Sequence, residues 1–268
     1  MKSHGFETLD SGRFKMASVL DLNDPFEGLG CCVGVLPEQT VKDYLRQDCF
    51  AGGIKHPSDV QAFETFWNGL GEEPKQTYTK LASSKIRTAV ADRTLVKYMY
   101  VLCFSMCEHG DPAEKLMWSH YADGYKGVRI GIRMDDPHFP LYFDSVKYCC
   151  ERPQLDLAKV TALERDKEIT RFWIQNLTTK SNEWAYEREC RIIADDLHLE
   201  KGKDDKGNDA YFWRFKPSDI VNVDLGLNTT KEREKKILDV VKAKYPTASI
   251  RKVVLSDANY GISYQEVK

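Results

Sequence analysis

The stretch that decides the fold is Trp184-Ala-Tyr-Glu-Arg-Glu-Cys-Arg-Ile-Ile193. Its aromatic and β-branched residues favour a strand, in which successive side chains point to opposite faces. Glu187, Glu189 and Arg191 would then share one face, with about 7 Å between successive side chains. We therefore predict a strand across this stretch, with two carboxylates and a guanidinium side by side. A catalytic face and a solvated face of surface ion pairs both fit this pattern.

The composition is that of an ordinary globular protein. The chain has 268 residues, of which 42% are hydrophobic and 30% are charged, and its formal net charge is −2. This balance gives no overall basic field, so any nucleic-acid contact would depend on a local patch. No apolar run approaches the roughly 20 residues that span a bilayer, and the N-terminus lacks the apolar core of a signal peptide. We expect one cytoplasmic domain over residues 1–268, without membrane contact.

Helical and strand patterns are mixed along the chain. Apolar or alternating runs predict strands at 13–18, 30–36, 98–105, 127–134, 141–148, 184–193, 211–215, 220–225, 250–255 and 260–267. Helical spacing and capping residues predict helices at 6–9, 58–69, 74–90, 116–124, 155–177 and 229–245. Because strict alternation of strand and helix is missing, we predict an α+β domain built around a mainly antiparallel, possibly split β-sheet with flanking helices.

The eight cysteines lie in a chain without a secretion signal, so we expect reduced thiols that pack as small apolar groups. Cys103-x-x-x-Cys107-x-His109 has the spacing of a metal half-site. Structural zinc takes four ligands, usually as two close pairs, and the sequence offers no convincing second pair. We therefore predict no metal site.

Motifs of several large enzyme classes are missing from the sequence. There is no G-x-G-x-x-G, no P-loop, no H-E-x-x-H and no G-x-S-x-G. Besides the glutamate strand, two polar and aromatic clusters remain. Asn23-Asp-Pro-Phe-Glu27 fits a rigid turn or a site, and Trp118-Ser-His-Tyr121 fits packed aromatic residues or a pocket wall. Lys147 and Lys180 could add cationic contacts, although a surface position is the simpler interpretation of each.

Four motifs occur in a fixed order and carry a family resemblance. They are Asn23-Asp-Pro-Phe-Glu27, Cys103-Phe-Ser105, Met117-Trp-Ser-His-Tyr-Ala-Asp-Gly124 and Trp184-x-Tyr-Glu-x-Glu-x-Arg191. Together they resemble the bacterial family known as domain of unknown function 2971, over roughly residues 6–255. The Met117 and Trp184 motifs, when they occur together, are specific to this family. The family name itself implies no established chemistry.

The layout is also similar to ADP-ribosyltransferase-like domains, particularly the DarT-type transferases that modify DNA. That resemblance implies NAD as the substrate that donates ADP-ribose. It implies Glu189 as the catalytic carboxylate with Glu187 beside it. Tyr121 and His120 would flank the nicotinamide ribose. The further contacts to the cofactor would come from Trp118, Ser105 and Asn23.

The N-terminal part of the chain bears on this resemblance. Related transferases begin with a strand that supplies a cofactor-binding histidine or arginine, a role that His4 or Arg13 would have to fill here. We expect an NAD-dependent transferase that modifies a nucleic acid or a protein, in a toxin or phage-defence setting. The alternatives are an inactive module that binds a nucleotide, nucleic acid or protein, and a metal-dependent hydrolase that uses Glu187, Glu189 and a histidine.

Overall fold

A computed structural model of the chain describes residues 5–49, 57–94, 96–134, 141–161 and 165–267. The chain divides into two compact units. Unit 1 comprises residues 1–18, 98–146 and 183–268, and unit 2 comprises residues 19–97 and 147–182. His4 lies outside the described residues, so its proposed role has no structural counterpart here.

The described elements include both helices and short strands. The helices are α1 (Gly5–Ser11), α2 (Glu38–Cys49), α3 (Pro57–Gly69), α4 (Glu72–Ala91), α5 (Glu114–Tyr121), α6 (Arg165–Leu177) and α7 (Lys231–Lys244). The strands are β1 (Arg13–Lys15), β2 (Ala17–Ser18), β3 (Cys31–Val33), β4 (Met99–Ser105), β5 (Val128–Ile132), β6 (Tyr142–Ser145), β7 (Lys147–Cys149), β8 (Gln154–Asp156), β9 (Thr179–Ser181), β10 (Glu189–Asp195), β11 (Glu200–Lys203), β12 (Asp209–Arg214), β13 (Ile220–Leu225), β14 (Ser249–Leu255) and β15 (Ile262–Glu266). Short 3-10 turns lie at Val19–Asp21, Leu157–Lys159, Asn182–Glu187, Asp196–His198 and Pro217–Asp219.

Within its described residues, unit 1 contains three sheets, with strand orders β2-β4-β10-β6, β15-β14-β13-β5 and β1-β12-β11. Most neighbouring strands are antiparallel, and β13 runs parallel to β14. The mixed helix and strand content with antiparallel sheets confirms the α+β class. Both four-stranded sheets, together with α1 and α7, contribute buried apolar side chains to one core. Backbone pairing on both sides holds β10 between β4 and β6.

Unit 2 is mainly helical. In the part of unit 2 that the structure describes, helices α2, α3, α4 and α6 accompany two small parallel sheets, β3 with β8 and β7 with β9. Trp67 is almost fully buried and packs near the rings of Phe63 and Tyr78. Aromatic rings therefore pack between α3 and α4.

The long helix predicted over residues 155–177 was wrong in its first half. Helix α6 begins only at Arg165, while the preceding residues form β8 and the turn Leu157–Lys159. The carboxylate of Asp156 accepts a hydrogen bond from the Ala158 amide, at 3.1 Å. Such a local bond offers the backbone an alternative to helix formation. Residues 162–164 lie outside the described part of the chain.

The strand predicted over residues 141–148 is two strands. Strand β6 pairs with β10, whereas β7 pairs with β9. The amide of Val146 donates to Glu189 and the amide of Lys147 donates to Thr178, both at 2.8 Å. Successive residues therefore bond to different elements, which a periodic sequence pattern does not reveal.

Candidate active site

The strand predicted at Trp184 begins at Glu189. Residues Asn182–Glu187 form a 3-10 turn, and Arg188 has a φ of 45°, in the left-handed region that non-glycine residues rarely adopt. The Arg188 amide donates to the Ala185 carbonyl at 3.3 Å, so the turn satisfies its own backbone. The strand prediction was therefore wrong for residues 184–188, and the shared face predicted for Glu187 and Glu189 does not follow.

Glu189 and Arg191 form a buried ion pair on β10. Their exposed fractions are 6% and 1%. The guanidinium donates through Nε to Oε1 at 2.7 Å and through Nη2 to Oε2 at 2.8 Å. The shared face predicted for these two residues is confirmed. Each carboxylate oxygen of Glu189 accepts a charged hydrogen bond, an arrangement that holds the charge of both groups in a desolvated position.

Glu187 lies where three sequence motifs meet. Its side chain is 3% exposed, and the phenol of Tyr121, at the end of α5, donates a hydrogen bond to its Oε1. Ser105, at the end of β4, donates through Oγ to the backbone carbonyl of Glu187 at 2.6 Å. The same Oγ accepts from the Cys107 amide at 3.2 Å. The turn before β10 is thus held by α5 and β4 together.

The loop between β4 and α5 is tied to the same turn. The amide of Met106 donates to the Arg188 carbonyl at 2.9 Å. The Arg188 guanidinium reaches Asp111 at 2.7 Å, and Asp111 also accepts from the Ala113 amide. These contacts hold Arg188 in its left-handed backbone conformation. The backbone at Arg188 in turn sets the directions in which Glu187 and Glu189 point.

Aromatic rings extend outward from Tyr121. His120 is exposed, and its ring centroid lies 6.3 Å from Tyr121 and 6.5 Å from Tyr186. The ring of Tyr186 lies 6.2 Å from that of Trp184. The rings are tilted rather than parallel, by 34° to 48°. They form a partly exposed aromatic surface beside the buried Glu187 carboxylate.

Trp118 faces away from this surface. Its side chain is 2% exposed, stacks on Tyr125 at 5.8 Å and donates through Nε1 to the Tyr264 hydroxyl at 2.9 Å. Residues two positions apart on a helix lie about 200° apart around its axis, so Trp118 and His120 occupy nearly opposite sides of α5. The structure therefore places Trp118 in the packing of α5 against β15, and not in the exposed aromatic surface.

A partly buried polar network that the sequence reasoning missed holds the other end of α5. Across the sheet, Asp224 lies opposite both Arg129 and Arg251 and accepts from their Nε atoms at 2.8 and 2.7 Å. Glu114 accepts from Arg129 at 2.6 Å and from the Tyr264 hydroxyl at 2.5 Å. Burial and the bond to Glu114 raise the pKa of Tyr264. A charged residue in the apolar strand Ile220–Leu225 was the signal for this network.

The motif Asn23-Asp-Pro-Phe-Glu27 belongs to unit 2, so Asn23 is described apart from the other predicted site residues. Asn23 is exposed, and Asp24 accepts from the Phe26 amide at 2.9 Å, which makes the segment a closed turn. Glu27 ends the turn and is buried against Lys180, with 3.2 Å between Oε1 and Nζ. The surface position expected for Lys180 was therefore wrong, whereas Lys147 is exposed.

The segment proposed as a metal half-site is taken up by other contacts. Cys103 is exposed, and burial with the nearby Asp111 raises the pKa of Cys107. The His109 ring packs edge-on against Tyr264 at 4.1 Å and lies 2.7 Å from the Arg129 guanidinium. Among the residues that the structure describes, no three histidine, cysteine or acidic side chains are grouped as metal ligands. The thiols of Cys31, Cys32, Cys107, Cys149, Cys150 and Cys190 form no disulfide.

Comparison with known proteins matched part of the chain to a family model. The model of the family described as "Protein of unknown function (DUF2971)" matches residues 117–192, which include the Met117 and Trp184 motifs. This match supports the family resemblance over that segment. No curated protein and no solved structure matches the chain. Within the described residues, no helix is long and apolar enough to cross a membrane.

Proposed function

We propose that unit 1 has an ADP-ribosyltransferase-like fold and transfers ADP-ribose from NAD, with Glu187 as the working carboxylate. The observation that carries this proposal is the hydrogen bond from Tyr121 to Glu187. It joins an aromatic helix end to a buried acid, two groups that the reaction needs together. The match to a family without established chemistry neither adds to nor opposes this assignment.

The chemistry explains why a fixed carboxylate is needed. Breaking the bond between nicotinamide and ribose develops positive charge on the ribose ring, as in glycoside cleavage. A carboxylate held in a water-poor site stabilises such charge more effectively than one in bulk water. Glu187 is buried, while Tyr186 before it is half-buried and Arg188 after it is exposed. Both sequence neighbours of Glu187 are therefore more exposed than Glu187 itself.

The two glutamates have different roles in this proposal. Both oxygens of Glu189 accept hydrogen bonds from Arg191, so we assign Glu189 to positioning the start of β10. Glu187 is assigned to the ribose, which departs from the role that the family resemblance gives to Glu189. Ser105 holds the Glu187 backbone, and the ring of Tyr121 borders the nicotinamide.

The remaining assignments rest on the family resemblance alone. Asn23 lies in unit 2, so a contact from it to the cofactor remains a prediction from that resemblance. The acceptor is a nucleic acid or a protein, and the biological setting is toxin action or phage defence. The formal net charge of −2 favours neither acceptor.

The test combines binding and turnover. Isothermal titration measures NAD binding, and a nicotinamide-release assay measures cleavage, for wild type, Glu187→Gln and Glu189→Gln. We expect Glu187→Gln to bind NAD within about threefold of wild type and to release nicotinamide at least about 100-fold more slowly. The amide keeps an oxygen that accepts the Tyr121 bond, so the fold should persist, as thermal melting would verify. Full activity of Glu187→Gln would contradict the assignment.

A second function is favoured by the burial of both glutamates, at 3% and 6% exposure. A carboxylate that is buried and hydrogen-bonded is also what an inactive module would retain to hold its fold. Unit 1 would then bind a nucleotide, a nucleic acid or a protein without chemistry. NAD binding without nicotinamide release by the wild-type protein would support this second function over the first.

A further inference from the structure

Two consecutive residues at the end of α5 meet two consecutive residues of the turn before β10. In the inner pair, Tyr121 donates a hydrogen bond to Glu187. In the outer pair, the rings of His120 and Tyr186 lie 6.5 Å apart. Glu187 is buried, whereas His120 is exposed. The arrangement therefore places an imidazole on the solvent side of the proposed ribose site.

This arrangement bears on where a proton can go. When a hydroxyl or an amide attacks the ribose, its proton must be removed, and a carboxylate that contacts the ribose cation is badly placed to remove it. Glu189 is engaged by Arg191 through both oxygens. An exposed imidazole beside the reacting carbon can accept the proton and release it to water. Histidine is the residue most often used in this way.

We propose that His120 is the general base of the transfer and that Tyr186 borders the acceptor, which carries a protonated nucleophile rather than a carboxylate. This inference rests on the proposed function. The bond from the ribose C1′ to nicotinamide breaks, and its electron pair neutralises the pyridinium nitrogen. A lone pair of the acceptor forms the new bond to C1′, and the acceptor proton passes to His120 and then to solvent.

Small nucleophiles provide the test, because azide is an anion and needs no base, whereas water and methanol do. We would measure ADP-ribose, its methyl glycoside and its azide from NAD for wild type, His120→Asn and Glu187→Gln. The control is His198→Asn, which changes an exposed histidine in the turn after the other end of β10. We expect His120→Asn to lose about 100-fold with water and methanol and to retain the wild-type rate with azide.

The outcomes separate this inference from the function it rests on. Nicotinamide release by wild type together with selective loss in His120→Asn, rescued by azide, supports both. Wild-type rates in His120→Asn with all three nucleophiles overturn the inference and leave the transferase proposal standing. An equal loss with water, methanol and azide also overturns it, because the change then acts on cleavage itself. If wild type releases no nicotinamide with any nucleophile, both are overturned.

Discussion

The phenol of Tyr121 donates a hydrogen bond to the carboxylate of Glu187, which lies 66 residues later in the chain. This contact connects the end of α5 to the turn that leads into β10. The other end of α5 is held by Glu114, which bonds to Arg129 and Tyr264. Helix α5 is therefore fixed at both ends by buried carboxylates, and its exposed side carries His120.

Removing the Tyr121 hydroxyl should destabilise unit 1. In Tyr121→Phe, the buried Glu187 carboxylate loses a hydrogen-bond donor, and we expect a loss of about 1–3 kcal/mol in the free energy of unfolding. Urea titration measures this loss. The control is Tyr125→Phe, which removes a hydroxyl that donates to the Lys115 carbonyl at 3.2 Å. Equal losses in the two variants would show that the hydrogen bond to Glu187 stabilises the fold no more than the one from Tyr125 to the Lys115 carbonyl.

The ion pair between Glu189 and Arg191 should show strong coupling. Arg191→Leu leaves a buried carboxylate without its guanidinium, so we expect a loss of about 3–5 kcal/mol in the free energy of unfolding. The double variant Glu189→Leu/Arg191→Leu should cost less than the sum of the single variants, because neither charge is then left alone. Additive losses in the double-mutant cycle would refute the coupling. Arg214→Ala, which breaks an exposed pair with Glu200, should change stability little.

Lys180 and Lys147 offer a matched comparison within unit 2. Lys180→Met removes the buried partner of Glu27, and we expect a loss of about 3 kcal/mol in unfolding free energy. Lys147→Met, at an exposed position on β7, should stay within about 0.5 kcal/mol of wild type. Denaturant titration of both variants checks this difference. Similar stability of the two variants would mean that the ion pair contributes little.

His109 should make stability depend on pH. Burial and the guanidinium of Arg129 lower the pKa of His109, and Arg251 adds to this effect while Asp224 and Glu114 oppose it. The unfolded chain then takes up its proton at higher pH than the folded chain. Stability therefore falls as the pH drops below the unfolded value of about 6.5 and levels off once the folded histidine is protonated.

The test of this dependence uses the variant His109→Gln. Between about pH 7.5 and pH 5.5, we expect this variant to lose less stability than wild type in urea titrations. His198→Gln, at an exposed histidine paired with Asp195, controls for loss of an imidazole elsewhere. If His109→Gln loses as much stability as wild type over this range, the lowered pKa of His109 does not contribute measurably to the pH dependence of stability.

Regular periodic segments were predictable from the sequence. The apolar run 98–105 became β4, and the alternating run 127–134 became β5. In these segments, local preference and burial favour the same structure. The family resemblance placed Tyr121 and Glu187 at one site, and the structure shows a hydrogen bond between them.

The errors came from contacts between residues that are distant in sequence. Trp184 and Tyr186 have high strand propensity. A turn forms there instead, because Ser105 donates a hydrogen bond to the Glu187 carbonyl and Arg188 forms an ion pair with Asp111. A left-handed residue at position 188 leaves no trace in a hydrophobic pattern. Similarly, Lys180 resembles a surface lysine until its buried partner Glu27 is known.

The rate of nicotinamide release from NAD, compared between wild type and Glu187→Gln, tests the central claim most directly. Our account predicts measurable release by wild type and a rate at least about 100-fold lower for the variant, with NAD binding and thermal melting nearly unchanged. Equal rates for the two proteins, or no release by wild type while NAD is bound, would contradict it.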